Sequence, residues 1–282
     1  MVESLRELNR ICQKPRYKEA GNWMVRHIVR DAALPLTWLL LHTPVTANQV
    51  TLASLILGLA GIALFAFSSH TLFLWGTLLL QFWYYLDHVD GQIARYRGTA
   101  SLTGRFFDFM VHHAIHGAVF FSLGFYVFQN AGHWGALVWG FVTSMAILLF
   151  NLIHDTKYKV FFEKLDSMQG EEIQIQSLSS GDEVPSENTL PPPKSEYQPL
   201  RRIFSFFHKI SEIHVLMNLL TLAALWQVII PSRFDFRSNL FCLYGVIVPA
   251  LAIFKIAYLI KNQSLDHEFR NRFHCPQTAS RS

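Results

Sequence analysis

LDHVDGQIARYRGTASLTGRFFDFMVHHAIH, residues Leu86–His116, lies between two strongly apolar runs. It places Asp87, Asp90, Arg95, Arg97, Arg105, Asp108 and His112 where ionisable side chains are expensive unless they face a cavity, a partner or an ion. Spacing turns the stretch into geometry. With Thr71–Ala94 as one helix and Gly104–Phe128 as the next, the short link between them returns the chain antiparallel. Asp87 and Asp90 are i,i+3 neighbours, and Asp108 and His112 are i,i+4 neighbours, so each pair shares a helix face. In that hairpin Asp87 faces His112, Asp90 faces Asp108, and Arg95 faces Gly104. At a rise of about 1.5 Å per residue the first rung lies roughly 12 Å deeper than the last. The expected site is an acidic well with a basic, glycine-lined mouth.

Carboxylate ligands on facing helices suit a hard divalent cation such as magnesium, which also takes substrate phosphates. Arg95, Arg97 and Arg105 have the fork geometry to hold a diphosphate, while Gly91, Ala94 and Gly104 keep bulk away from an approaching ligand. The plainer alternative, acids and arginines pairing with one another at a hairpin, leaves the small residues among the acids unexplained.

The pattern Asp87-x2-Asp90-Gly91-x2-Ala94-Arg95-x8-Gly104-x3-Asp108-x3-His112 resembles the signature of the CDP-alcohol phosphotransferases, integral membrane enzymes that make phospholipid head groups. Seven of its eight fixed positions match. The resemblance implies an all-α polytopic membrane fold, with six transmembrane helices around the site and an N-terminal interfacial helix. It implies transfer of a substituted phosphate, phosphatidyl from CDP-diacylglycerol, to an alcohol acceptor with release of CMP. It also implies Asp87, Asp90, Asp108 and the eighth position as ligands of Mg2+ or Mn2+, two ions in the family. Gly91 and Arg95 would hold the CDP diphosphate, and Ala94 and Gly104 would shape the nucleotide pocket. At the eighth position the family has a fourth aspartate, the expected general base, and this chain has His112. Histidine can serve as base or as metal ligand, with an unperturbed pKa of about 6.5. Its neutral form removes one negative charge from the well and weakens the case for a second ion.

Composition sets the wider frame. Of 282 residues, 51% are hydrophobic and 16% charged, with 24 phenylalanines, which exceeds the needs of a soluble core and points to several membrane spans. The net charge is +4, but the basic residues fall in loops, where they report orientation rather than nucleic-acid binding. Cys12, Cys242 and Cys275 are scattered, which suggests neither a disulfide framework nor a zinc site.

The chain divides by polarity. Residues 1–45 form a polar and interfacial segment in which Trp23, Met24, His27 and Ile28 have amphipathic helical spacing, and Leu34–Leu41 is a short apolar piece interrupted by Pro35. Residues 46–154 hold four spans: Val50–Phe67, the helix from Thr71, Phe106–Phe128 and Trp134–His154. Residues 155–211 are a hydrophilic loop, with a disordered or extended linker expected over Gln169–Leu200. Residues 212–260 hold spans Ile213–Ile230 and Asn239–Ile260, and 261–282 form a polar tail. Lys and Arg number seven in 1–45, three in 95–105, seven in 155–211 and four in 261–282. Six spans with both termini and the active-site hairpin in the cytoplasm satisfy these counts, with Arg233 and Arg237 as exceptions. The expected location is a bacterial inner membrane or the endoplasmic reticulum; the expected partners are a CDP-linked lipid, an alcohol acceptor, membrane lipids and a second copy in a homodimer.

Two rival classes share these residues. His88, His112, His113 and His116 have the spacing of a transition-metal box, as in membrane oxygenases, which iron content and oxygen use would reveal. A non-catalytic relative that binds CDP-lipid would release no CMP.

Overall fold

The computed structural model of the chain describes residues 2–13, 23–168, 174–175, 206–230 and 234–274. It is helical throughout, apart from one pair of two-residue strands. Helix α1 spans Leu5–Cys12, and a π-helical turn at Val25–Val29 runs directly into α2, Arg30–Leu41. Two expectations change here. The polar N-terminus carries a helix, because Leu8 and Cys12 fall on one face and bury completely. Pro35 does not interrupt the apolar piece: α2 continues through it, forgoing only the bond that its missing N–H would make. Trp23 and Ile28 point outward, whereas Val25 and Val29 face the core.

A capping box starts α3, Ala47–Leu64: the Gln49 N–H donates to Thr46 Oγ1 at 3.3 Å, and the Thr46 N–H donates to the Gln49 side chain at 2.8 Å. These two bonds satisfy donors that a helix start otherwise leaves orphaned, so the helix begins three residues ahead of the apolar run at Val50. Ser69 caps α4, His70–Tyr96, and Ser101 caps α5, Leu102–Ala131, which ends on Gly132 at φ +70°.

Helix α6 runs Trp134–Ser167 and does not stop at His154. The first part of the hydrophilic loop is therefore helix, built of helix-forming Lys and Glu and tied down by Lys157, whose Nζ lies 3.0 Å from Glu268 with both side chains largely buried. Further along, residues 206–211 are helical, and helices α7 (Ile213–Ile229), α8 (Phe236–Lys261) and α9 (Ser264–Arg272) follow. Strand β1, Gln174–Ile175, pairs antiparallel with β2, Phe273–His274. The rest of the expected linker, Arg233 and the tail beyond 274 lie outside the described residues.

Among the described residues, four helices, α3, α5, α6 and α8, are long and apolar enough to cross a membrane. Helix α4 has the length, at 27 residues, but its last third carries the acids and Arg95. Helix α7 is apolar but only 17 residues, roughly 26 Å at 1.5 Å per residue.

Packing differs from a simple α4–α5 hairpin. Helix α3 lies against both α4 and α5; α5 also packs on α6 and α8, and α4 on α1, α2 and α7. Although consecutive, α4 and α5 are not one of the closely packed pairs among the described residues. The glycines of α3 explain why. A Cβ on Gly61 would lie 2.7 Å from the Gly76 carbonyl oxygen of α4, and one on Gly58 would meet Ile115 of α5 at 2.6 Å and Trp83 of α4 at 3.0 Å. Both helices thus settle onto the glycine face of α3.

Arg237 is a buried staple rather than a charge exposed on the far side. Its Nη1 donates to the Phe67 carbonyl at 2.7 Å, and its guanidinium stacks 3.8 Å from the centre of the Tyr126 ring.

Candidate active site

The last third of α4 and the start of α5 supply the acids, and α3 supplies a partner for one of them. His112 Nε2 lies 2.8 Å from Asp87 Oδ1 and 3.5 Å from Asp108 Oδ1. The facing rung of Asp87 and His112 therefore exists at the level of side chains, between the two helices. Trp83 meets the His112 ring edge-on, with centroids 5.2 Å apart, and gives it an apolar wall. Asp87, Asp108 and His112 each offer a ligand atom within 4.8 Å of the others. Bond lengths of about 2.0–2.6 Å let one divalent ion reach all three, and a set of two oxygens and one nitrogen accommodates Mn2+ as well as Mg2+.

Asp90 stands apart from that trio. It is buried, and its Oδ2 accepts a 2.6 Å hydrogen bond from Thr51 of α3, itself buried. Thr51 was invisible as a site residue in the sequence, where it reads only as part of a helix opening. His113 and His116 turn away from the acids, to Asp155 at 3.2 Å and to Asn151 at 2.8 Å, so α6 holds both.

At the mouth, Arg95 lies over Gly91: a Cβ there would come within 3.2 Å of Arg95 Nη1. Glycine is what lets the guanidinium lie flat on the helix. The Nε of Arg95 donates to the Cys12 carbonyl of α1. Arg97 is not at the mouth; it clamps the α2–α3 link, with Nη1 on the Val45 carbonyl at 2.5 Å and Nη2 on that of Thr43 at 2.7 Å. Arg105 is exposed in the first turn of α5, and Ala94 is half-buried. A Cβ on Gly104 would approach Asn48 Oδ1 to 3.4 Å, which brings the N-terminus of α3 to the same rim. Behind Arg95, a buried relay fixes α2 to α4: Thr37 donates to Gln92 Oε1 at 2.6 Å, and Gln92 Nε2 donates to the Arg30 carbonyl at 2.9 Å.

Residues 44–168, from the α2–α3 link to the end of α6, match the model of a family described as CDP-alcohol phosphatidyltransferase. Among solved structures, the chain is similar to the crystal structure of Mycobacterium tuberculosis phosphatidylinositol phosphate synthase (PgsA1) with CDP-DAG bound. The TM-score is 0.52 at 16% identity, covering 90% of this chain and 98% of that one. At that identity the likeness is one of fold. No curated protein sequence matches the chain.

Proposed function

We propose, from the premise that the chain carries a CDP-alcohol phosphatidyltransferase domain over residues 44–168, that this multi-pass membrane protein transfers a phosphatidyl group from CDP-diacylglycerol to an alcohol acceptor and releases CMP. The observation that carries the reading is the convergence of Asp87, Asp108 and His112 below a mouth formed by Gly91 and Arg95. Arg95 Nη1 and Nη2 orient the diphosphate with the two-pronged geometry that arginine offers to phosphate. Gly91 and Gly104 leave room for the nucleotide, and Thr51 fixes the carboxylate of Asp90 toward the cleft wall. A divalent ion held by Asp87 and Asp108 would polarise the diphosphate oxygens and stabilise the departing CMP. With its Nε2–H donated to Asp87 at 2.8 Å, His112 takes the proton of the acceptor hydroxyl on its other ring nitrogen, Nδ1, and Asp87 steadies the imidazolium that results.

The active site faces the cytoplasm in the six-span arrangement, with α4 and α7 completing the spans, which places it where CDP-activated substrates are made. A histidine-box oxygenase is disfavoured, because His88 Nδ1 lies 2.9 Å from the Tyr84 carbonyl and 3.7 Å from Asp87, and His113 and His116 turn to Asp155 and Asn151, which leaves His112 as the one histidine of the four that reaches both Asp87 and Asp108. The test is to incubate the purified protein in lipid with CDP-diacylglycerol, Mg2+ or Mn2+, and a pool of alcohols, and to identify the product by mass. A phosphatidyl ester formed together with CMP supports the reading; no CMP with any acceptor or ion refutes it.

A further inference from the structure

Helix α1 lies outside the residues that match the family, yet it touches the one arginine assigned to the donor diphosphate. Leu8 and Cys12 are fully buried in a cluster with Ala33 of α2 and Val89 and Ile93 of α4, which seats the helix across the outer face of the site. At its start, Glu3 accepts a hydrogen bond from the Tyr96 hydroxyl, and the Glu3 carbonyl accepts one from Trp38 Nε1 at 3.2 Å. At its end, the Cys12 carbonyl takes the Nε–H of Arg95, and the terminal nitrogens of that guanidinium lie beside Gly91. Arg95 makes no other hydrogen bond among the described residues, so its two-pronged end remains available to a ligand while its neck is fixed.

We infer that α1 is a positioning element of the donor site, in which the Cys12 backbone carbonyl holds the Arg95 guanidinium in the orientation that grips a nucleoside diphosphate. The inference rests on the donor role of Arg95 proposed above. The physical reason is preorganisation. An arginine side chain has several rotatable bonds, and a ligand that must immobilise them binds more weakly than one that meets them already set. A carbonyl is suited to this task because it engages Nε and leaves both Nη groups for the two-pronged contact.

The test perturbs the carbonyl without touching Arg95. Ile11 is exposed, so Ile11→Pro breaks the last turn of α1 and displaces the Cys12 carbonyl, whereas Ile11→Ala keeps the helix. Leu8→Ala loosens the same helix from below. The readouts are KM and kcat for CDP-diacylglycerol in nanodiscs, each variant made also in an Arg95→Ala background, with peptide-resolved maleimide labelling of Cys12 as the report of displacement. The inference expects Ile11→Pro to label at Cys12 and to raise KM by about tenfold with kcat nearly unchanged, and Leu8→Ala to move KM the same way by less. It expects neither change to add to the loss already caused by Arg95→Ala. Ile11→Ala should match wild type. Labelling of Cys12 with an unchanged or lowered KM, or a loss of equal size in both backgrounds, overturns the inference and leaves the donor role of Arg95 standing. An Arg95→Ala variant with normal KM overturns both together. Should Ile11→Pro fail to fold, Leu8→Ala decides by the same criteria.

Discussion

Replacing Thr51 by valine removes one hydroxyl from the site and almost no volume. The Thr51 hydroxyl donates to Asp90 Oδ2 at 2.6 Å, with Thr51 5% and Asp90 8% exposed, so water does not replace it readily. Hydrogen bonds to a charged group contribute about 1.5–3 kcal/mol, and a buried acceptor left unmet loses that amount rather than exchanging it with solvent. If Asp90 must hold its orientation for turnover, the same energy corresponds to a loss of about 10- to 150-fold in kcat/KM, at roughly 1.4 kcal/mol per factor of ten. The Thr51 hydroxyl also contacts the Ala47 carbonyl at 3.1 Å, so part of the loss falls on α3 itself and will appear as a lower unfolding temperature. The assay is CMP release from CDP-diacylglycerol in nanodiscs beside a thermal unfolding curve, for Thr51→Val and for Thr51→Ser, which keeps the hydroxyl. Recovery in Thr51→Ser and loss in Thr51→Val is the expected pattern. Wild-type turnover in Thr51→Val would refute the claim that α3 sets the Asp90 carboxylate for the reaction.

Gly61→Ala should lower stability by about 1–3 kcal/mol in thermal unfolding, because its Cβ would lie 2.7 Å from the Gly76 carbonyl; Gly135→Ala, whose Cβ meets nothing, should cost nothing. Arg97→Ala should cost about 2 kcal/mol of stability by releasing the Thr43 and Val45 carbonyls, whereas Arg105→Ala should leave the unfolding curve unchanged. Asp235 caps α8 and accepts from Tyr126 and Ser238; burial opposes its charge, but the Ser238 hydrogen bonds, with Tyr126 and Arg237 beside it, hold its carboxyl below the ordinary range. A carboxyl lowered in the folded state contributes stability above its unfolded pKa, near 3.9, and loses it as pH falls through the lower folded value. Asp235→Asn should therefore unfold about 1 kcal/mol more readily at pH 7, with the gap to wild type closing in unfolding curves taken at successively lower pH below the ordinary carboxylate range.

Much of the site could be read from the order of residues because it rests on local spacing. Asp87 to His112 is a helix, a short turn and a helix, and the period of 3.6 residues fixes which side chains share a face. What spacing cannot show is which third helix the two lean on. Gly58 and Gly61 are visible in the sequence as small residues, but that they separate α4 from α5 depends on where Trp83 and Ile115 come to rest. Arginines were the least legible residues. Arg95, Arg97 and Arg237 look alike on the page, yet one lies at the mouth, one clamps a loop and one is buried between aromatic rings, because each is assigned by long-range contacts with backbone carbonyls. Helix α1 escaped notice for a related reason: its buried face is only Leu8 and Cys12, too few apolar residues to stand out in a polar stretch. Similarly, α6 outlasted its apolar run because Lys157 finds Glu268, more than a hundred residues away.

The central claim, that Asp87, Asp108 and His112 form an ion-dependent phosphatidyl-transfer centre, is tested most directly by measuring CMP release from CDP-diacylglycerol with and without divalent ion, in wild type and in Asp108→Ala. The account predicts release in wild type that stops on chelation and returns with Mg2+ or Mn2+, and a fall of at least about a hundredfold in Asp108→Ala with the protein still folded. Release that persists under chelation, or is undiminished in Asp108→Ala, would contradict it.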